Sequence, residues 1–292
     1  MSAARRFKQV DVFTSVPFKG NPLAVVLGAD GLTDAQMHAV ARWTNLSETT
    51  FAFEPIAPEA DYRVRIFSPG VEFPFAGHPT LGTAHALLEA GLQPKTPGRL
   101  IQECGVGLVP IDISANGQLA FRAPEAQLIA LHEALFPTLR AALQSDAFST
   151  SPAPVIATMG VTWLVVRMDS AEACMAVQPD VTALREFTRM GITGIAMFGA
   201  HGPAGPADVE VRAIFTKLDA LAEDPVTGSA NACIARVLEA QGFPGCAQYS
   251  QAYTARQGTL LHCDGRVNIR YHEGAAWVGG HSVTVIDGTI VV

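Results

Sequence analysis

Two strings in this chain, Gly77-His78-Pro79-Thr80-Leu81-Gly82-Thr83-Ala84 and Glu223-Asp224-Pro225-Val226-Thr227-Gly228-Ser229-Ala230, align without a gap and share P-x-x-G-[ST]-A. Pro225 lies 146 residues after Pro79, half the length of a 292-residue chain. Each string follows an extended segment, 62–67 or 209–215, and each leads through small and apolar residues to a glycine, Gly91 or Gly242. A proline suits the first helical position, where its missing N–H would be unpaired anyway. The spacing therefore predicts one helix over 79–90 and another over 225–241, in two related halves. A helix start presents unpaired N–H groups and the positive end of the dipole, so each is a candidate anion site facing a common cleft.

The first of these helices carries Leu81, Ala84, Ala86, Leu87 and Leu88 around most of its circumference, the mark of a buried helix. Strands wrapped around a central helix explain that burial better than helices layered outside a parallel sheet. The expected fold class is α+β, with two pseudo-symmetric domains, each a β-barrel-like sheet around a central α-helix. Ala123-Pro124 marks the boundary, giving domains 1–123 and 124–281, with a terminal strand, about 282–292, as a candidate to return to the first. Thr33 with Gln36 forms a capping-box signature for a helix ending near Thr44. Asn45-Leu46-Ser47-Glu48-Thr49 then enters a strand, and Asn116-Gly117 reads as a hairpin turn. A helix is expected around 128–143, a strand over 258–263, and a tight turn at Asp287-Gly288.

With 49% apolar residues the chain can bury a large core, and its net charge of −7 argues against a nucleic-acid or anionic-membrane surface. No segment reaches membrane-spanning length, and the short basic start Ser2–Arg6 reads as a frayed end rather than a targeting signal. Cys104, Cys174, Cys233, Cys246 and Cys263 are odd in number, scattered and without a C-x-x-C pair. They read as reduced thiols of a cytoplasmic protein, with neither a disulfide frame nor a zinc site. The remaining histidines show no metal-ligand spacing, so no metal is expected. Gly105–Gly107 sits between strands and is no dinucleotide fingerprint, and no G-x-S-x-G nucleophile elbow is present.

The strings Gly20-Asn21-Pro22-Leu23-Ala24-Val25-Val26, Asn45-Leu46-Ser47-Glu48-Thr49, the two repeat strings and Arg256-Gln257-Gly258 occur in an order that resembles the PhzF-like phenazine-biosynthesis isomerase family, within the diaminopimelate-epimerase-like superfamily. The resemblance spans nearly the whole chain. It implies a cofactor-independent isomerase that moves a proton between carbons of a small carboxylate-bearing metabolite, an active site between the two domains, and commonly a homodimer. Glu48 would be the catalytic acid/base, with His78 and Asp224 as the other catalytic positions and Ser229 beside them. Racemases of the wider superfamily use two cysteines, one at each central helix start. Here those positions read Gly77-His78 and Glu223-Asp224, which disfavours two-thiol racemisation.

On the residues alone, a surface glutamate at a strand start is the commoner reading of Glu48. A carboxylate removes a proton from carbon only where burial and nearby donors tune it. His78 is a candidate donor or proton shuttle because an ordinary imidazole titrates near neutrality. Asp224 could hold His78 or a substrate amine or hydroxyl, or serve as a plain helix cap. Thr83 and Ser229, placed in the first turn of their helices, are candidate substrate-binding hydroxyls, and the N–H groups of Gly77, His78, Gly228 and Ser229 candidate clamps for a carboxylate. Two other functions stay open: an amino-acid-type racemase or epimerase working with non-cysteine acid/base residues, and a small-molecule binding protein that has lost the chemistry.

Overall fold

A computed structural model of the chain describes residues 3–217, 220–242 and 250–292. Cys246 and Ser2 lie outside the described residues. Two compact units emerge, 1–122 with 279–292 and 123–278.

The first unit contains β1 (Ala4–Val12), β2 (Asn21–Val26), α1 (Asp34–Thr44), β3 (Thr49–Phe53), β4 (Tyr62–Phe67), β5 (Glu72–Phe73), α2 (Gly77–Glu89), β6 (Arg99–Cys104), β7 (Gly107–Ile113) and β8 (Leu119–Arg122). β2 and β3 are parallel, joined through α1. Thr33 caps α1 with the expected capping box, and Asn45 ends it in the left-handed region at φ 53°. Met37, Val40 and Ala41 of α1 pack with Phe51 and Phe67 of the sheet.

The sheet wraps α2, which touches β1, β2, β3 and β8. Every residue from Gly77 to Ala84 is buried, so the polar side chains on this helix need partners inside the unit. The sheet supplies them. Gln102 donates to Thr80 Oγ1 at 3.0 Å and accepts from the Tyr62 hydroxyl at 3.0 Å. Gly82 seats the helix on β1 and β2, because a Cβ there would stand 2.5 Å from Leu23 and 2.8 Å from Val12 side-chain atoms.

The chain's last strand belongs to this unit as well. Residues Ser282–Val291 run antiparallel to β1 without interruption at Asp287-Gly288, which pair with Lys8 and Phe7. The expected turn there is absent because the ladder continues, and Lys8 binds Asp287 at 3.0 Å.

The second unit contains β9 (Gln127–Ala130), α3 (Phe136–Leu143), β10 (Val155–Met159), β11 (Val161–Arg167), α4 (Ala171–Ala176), α5 (Val181–Arg189), β12 (Gly194–Ala200), β13 (Val209–Lys217), β14 (Ala220–Asp224), α6 (Gly228–Gln241), β15 (Ala252–Gln257), β16 (Gly265–His272) and all but the last two residues of β17 (Ala275–Gly280). The long helix expected over 128–143 divides into β9, which pairs with β10, and α3. The strand expected over 258–263 lies earlier, as β15. Gly258 at φ 92° turns the chain into a short 3-10 helix over Thr259–Leu261. The central helix is α6, which packs on β10, β11, β12 and β16.

The two central helices start differently. α2 begins at Gly77, two residues before Pro79, whereas α6 begins at Gly228, three residues after Pro225. The cause is the hairpin before α6. Glu223 pairs with Ile214 in the β13–β14 ladder and forks onto Arg212, with N–O distances of 3.0 and 2.9 Å, so 220–224 stay extended. Structurally, Gly228-Ser229 therefore matches Gly77-His78, an offset of 151 rather than 146. Among the described residues no helix is long and apolar enough to cross a membrane, and no cluster of His, Cys, Asp and Glu could hold a metal ion.

Candidate active site

In the first unit, three sequence strings meet at the start of α2. Asn21 opens β2, Glu48 immediately precedes β3, and His78 is the second residue of α2. The parallel register of β2 and β3, with Ala24 opposite Thr49, brings the entrances of both strands to the same end of the sheet. There His78 Nε2 lies 3.3 Å from Glu48 Oε2. The side chain of His78 is 6% exposed and that of Glu48 17%. On the other side of the ring, the buried Asn21 Nδ2 stands 3.5 Å from His78 Nδ1.

Burial holds the His78 pKa down to about 3. The contact with Glu48 is therefore one between a carboxylate and a neutral imidazole, not an ion pair, and the expectation of a histidine titrating near neutrality is corrected. His78 Nε2 is buried and makes no aligned hydrogen bond among the described residues. Catalytic contacts commonly tighten only once substrate is bound, so a 3.3 Å approach suits such a pair.

The turn that carries Asn21 is built tightly. The buried Asp11 carboxylate accepts the N–H groups of Lys19 at 2.9 Å and Gly20 at 3.1 Å. Burial pushes the Asp11 carboxyl up, with those backbone donors acting in the opposite sense. Gly20 admits no side chain, since a Cβ would meet Val12 O at 2.1 Å.

Thr83 is not placed as the sequence reading expected. It is the seventh residue of α2, wholly buried, and its hydroxyl donates to Thr50 Oγ1 at 2.8 Å. Its hydroxyl serves the interior of the unit. Gly77 and His78 open α2, where the N-cap Ala76 makes no side-chain cap, so their N–H groups have no partner within the helix.

In the second unit, Asp224 ends β14 and accepts from the Thr227 hydroxyl at 2.7 Å. Gln257, which sequence reasoning quoted only as part of a string, organises this turn. It accepts from Thr227 N at 3.0 Å and Asn231 Nδ2 at 2.9 Å, and donates to Asp224 O and Thr227 Oγ1. The signal was its place in Arg256-Gln257-Gly258, but a glutamine's partners are set by the fold. Ser229, second residue of α6, accepts the Trp163 indole N–H at 3.1 Å, which leaves its hydroxyl proton available to donate. Thr227 makes no side-chain cap, so Gly228 and Ser229 also start their helix with N–H groups lacking a helical partner.

Among the described residues, neither Cys233 nor Cys174 is suited to two-cysteine chemistry. Cys233 lies inside α6 with its pKa pushed up to about 12 by burial, and Cys174 is likewise pushed up. Glu72 and Glu223 are spent on Arg65 and Arg212.

A family model for phenazine biosynthesis-like proteins, PhzC-PhzF, matches residues 10–288. The trans-2,3-dihydro-3-hydroxyanthranilate isomerase of Pseudomonas fluorescens is 34% identical over 292 residues, covering 97% of this chain and 98% of its own. The fission-yeast protein called antisense-enhancing sequence 1 is also 34% identical, with 97% of both chains covered. Among solved structures, a PhzF-family protein of Bacillus anthracis superimposes with a TM-score of 0.83 over 99% of this chain and all of its own, at 24% identity. A hydroxyproline epimerase from Agrobacterium vitis shares the fold at a TM-score of 0.63 and 13% identity, covering 99% of this chain and 93% of that one. With the family model spanning almost the whole sequence and relatives above 30% identity along its length, this chain belongs to the PhzC-PhzF family of phenazine biosynthesis-like proteins and is an enzyme of the isomerase class.

Proposed function

We propose that this isomerase moves a proton between carbons of a small carboxylate-bearing metabolite, without a cofactor, with Glu48 as the acid/base. The observation that carries the reading is the Glu48–His78 pair, a carboxylate 3.3 Å from a buried, neutral imidazole at a helix start. In the forward step the substrate C–H bond breaks and a Glu48 O–H bond forms. The electron pair left on carbon shifts along the conjugated system. Glu48, whose O–H exchanges with solvent, then delivers a proton to a second carbon, its O–H bond breaking as the new C–H bond forms, so no oxidant or reductant is consumed. A neutral His78 stabilises charge by donating a hydrogen bond, without a proton change of its own.

Asp224 is proposed as the third catalytic residue. Gly77, Gly228 and Ser229 are proposed to bind substrate, through open N–H groups and the Ser229 hydroxyl. Two relatives named trans-2,3-dihydro-3-hydroxyanthranilate isomerase, from Pseudomonas fluorescens and Pseudomonas chlororaphis, make that compound the first substrate to try. A cytoplasmic homodimer is the setting carried over from the family resemblance, and light scattering of the purified chain tests the dimer.

The test is turnover of that compound and of a panel of amino and hydroxy acids, followed by product analysis. Glu48→Gln is expected to lower kcat by at least about a hundredfold, the usual scale of general acid–base catalysis. Asp224→Asn and Ser229→Ala are expected to lower kcat/KM. A Glu48→Gln enzyme that turns over normally overturns the reading, as would inversion of a single stereocentre, the signature of an epimerase.

A further inference from the structure

The string Gly20-Asn21-Pro22 stands out in the sequence, yet no catalytic role attaches to it from its residue types. Its place in the fold supplies one. We infer that Asn21 is a positioning residue that holds His78 in the tautomer with the proton on Nε2, so that the ring presents a fixed N–H donor beside Glu48 to the substrate atom on which charge develops.

A neutral imidazole has one protonated and one bare nitrogen, and the partner of one nitrogen decides the state of the other. Asn21 Nδ2 can only donate, and it faces His78 Nδ1 at 3.5 Å. Nδ1 is therefore the acceptor, and the proton sits on Nε2. That nitrogen is 3.3 Å from Glu48 Oε2, and it is a buried atom with no aligned hydrogen bond among the described residues. A buried donor left without a partner in the fold is costly, which marks this atom as a donor held for a group the fold itself does not supply. The opposite tautomer would set a bare Nε2 lone pair against a carboxylate oxygen.

The holder is as rigid as its task requires. Asn21 is fully buried and paired with Val12 in the β1–β2 ladder. The residue before it, Gly20, is clamped by Asp11 and pressed against Val12 O too closely for any side chain. The catalytic consequence rests on the proposed acid/base role of Glu48, while the tautomer itself does not.

Nitrogen-15 NMR of histidine-labelled protein, with His78 assigned by its loss in His78→Gln, measures the tautomer directly. The wild-type ring is expected to show a protonated Nε2 and a bare Nδ1 from pH 5 to 8. A protonated Nδ1, or an even mixture of tautomers, overturns the inference without any variant being needed. Asn21→Asp, nearly the same shape, offers an acceptor instead of a donor and is expected to move the proton to Nδ1 and lower kcat about tenfold or more, with KM changed far less. Asn21→Asp with unaltered ring signals and unaltered kcat also refutes it. If Glu48→Gln keeps its activity while the wild-type tautomer is as stated, the proton-transfer reading fails and the tautomer assignment survives.

Discussion

Burial of His78 should be visible as a pH-dependent loss of stability. In the unfolded chain its imidazole takes up a proton near pH 6.5, whereas in the folded unit burial delays this to about pH 3. Between those values the unfolded state binds more protons, so stability falls as the pH is lowered through the window. At pH 5, 1.5 pH units below 6.5, the cost is about 2 kcal/mol at about 1.36 kcal/mol per unit, rising towards about 5 kcal/mol near pH 3. Urea unfolding of wild type and His78→Gln at pH 7 and pH 5 isolates the effect from other titrating groups. Wild type should lose about 2 kcal/mol more than the variant over that interval. Equal losses, or an NMR titration of the ring with a midpoint at or above 6.5, would refute the reasoning and mean that the pair is ionised.

Three further substitutions probe the supports of the site. Gly20→Ala drives a Cβ to 2.1 Å from Val12 O, a backbone atom that cannot rotate away, so a loss at the upper end of about 1–3 kcal/mol is expected in thermal or urea unfolding. Gln257→Leu strips four hydrogen bonds from the Asp224–Asn231 turn and should cost about 3 kcal/mol in the same assay, together with turnover. Glu223→Gln leaves Arg212, only 5% exposed at its side chain, without its carboxylate and should cost about 3–5 kcal/mol. Glu72→Gln should cost much less, because Arg65 is more exposed and keeps Asp34 at 2.7 Å.

Much of this arrangement was legible in the sequence, at particular places. The apolar circumference of residues 81–88 announced a helix enclosed by strands, and Thr33 with Gln36 fixed the start of α1 through chemistry local to four residues. Glu48 was legible as a strand entrance, but its neighbour His78 comes from the β2–β3 register and the seat of α2, which are long-range. The start of α6 misled because Pro225 satisfies a local rule that the Arg212–Glu223 fork and the β13–β14 ladder override. The same error placed Thr83 in a first turn, although it lies in the second and faces Thr50. Residues 128–130 carry the apolar content of a helix, yet the partner strand Val155–Thr158 makes them extended. Gln257 and Asn21 went unassigned for a related reason, since an amide's role depends on what the fold sets against it.

Proton movement is read most directly by deuterium incorporation. Wild type and Glu48→Gln would be incubated in heavy water with the dihydro-hydroxyanthranilate and the acid panel, and label at substrate and product carbons followed by NMR. The expected result is label at the reacting carbon with wild type and its disappearance with Glu48→Gln. Equal incorporation by both proteins would contradict Glu48 as the proton carrier.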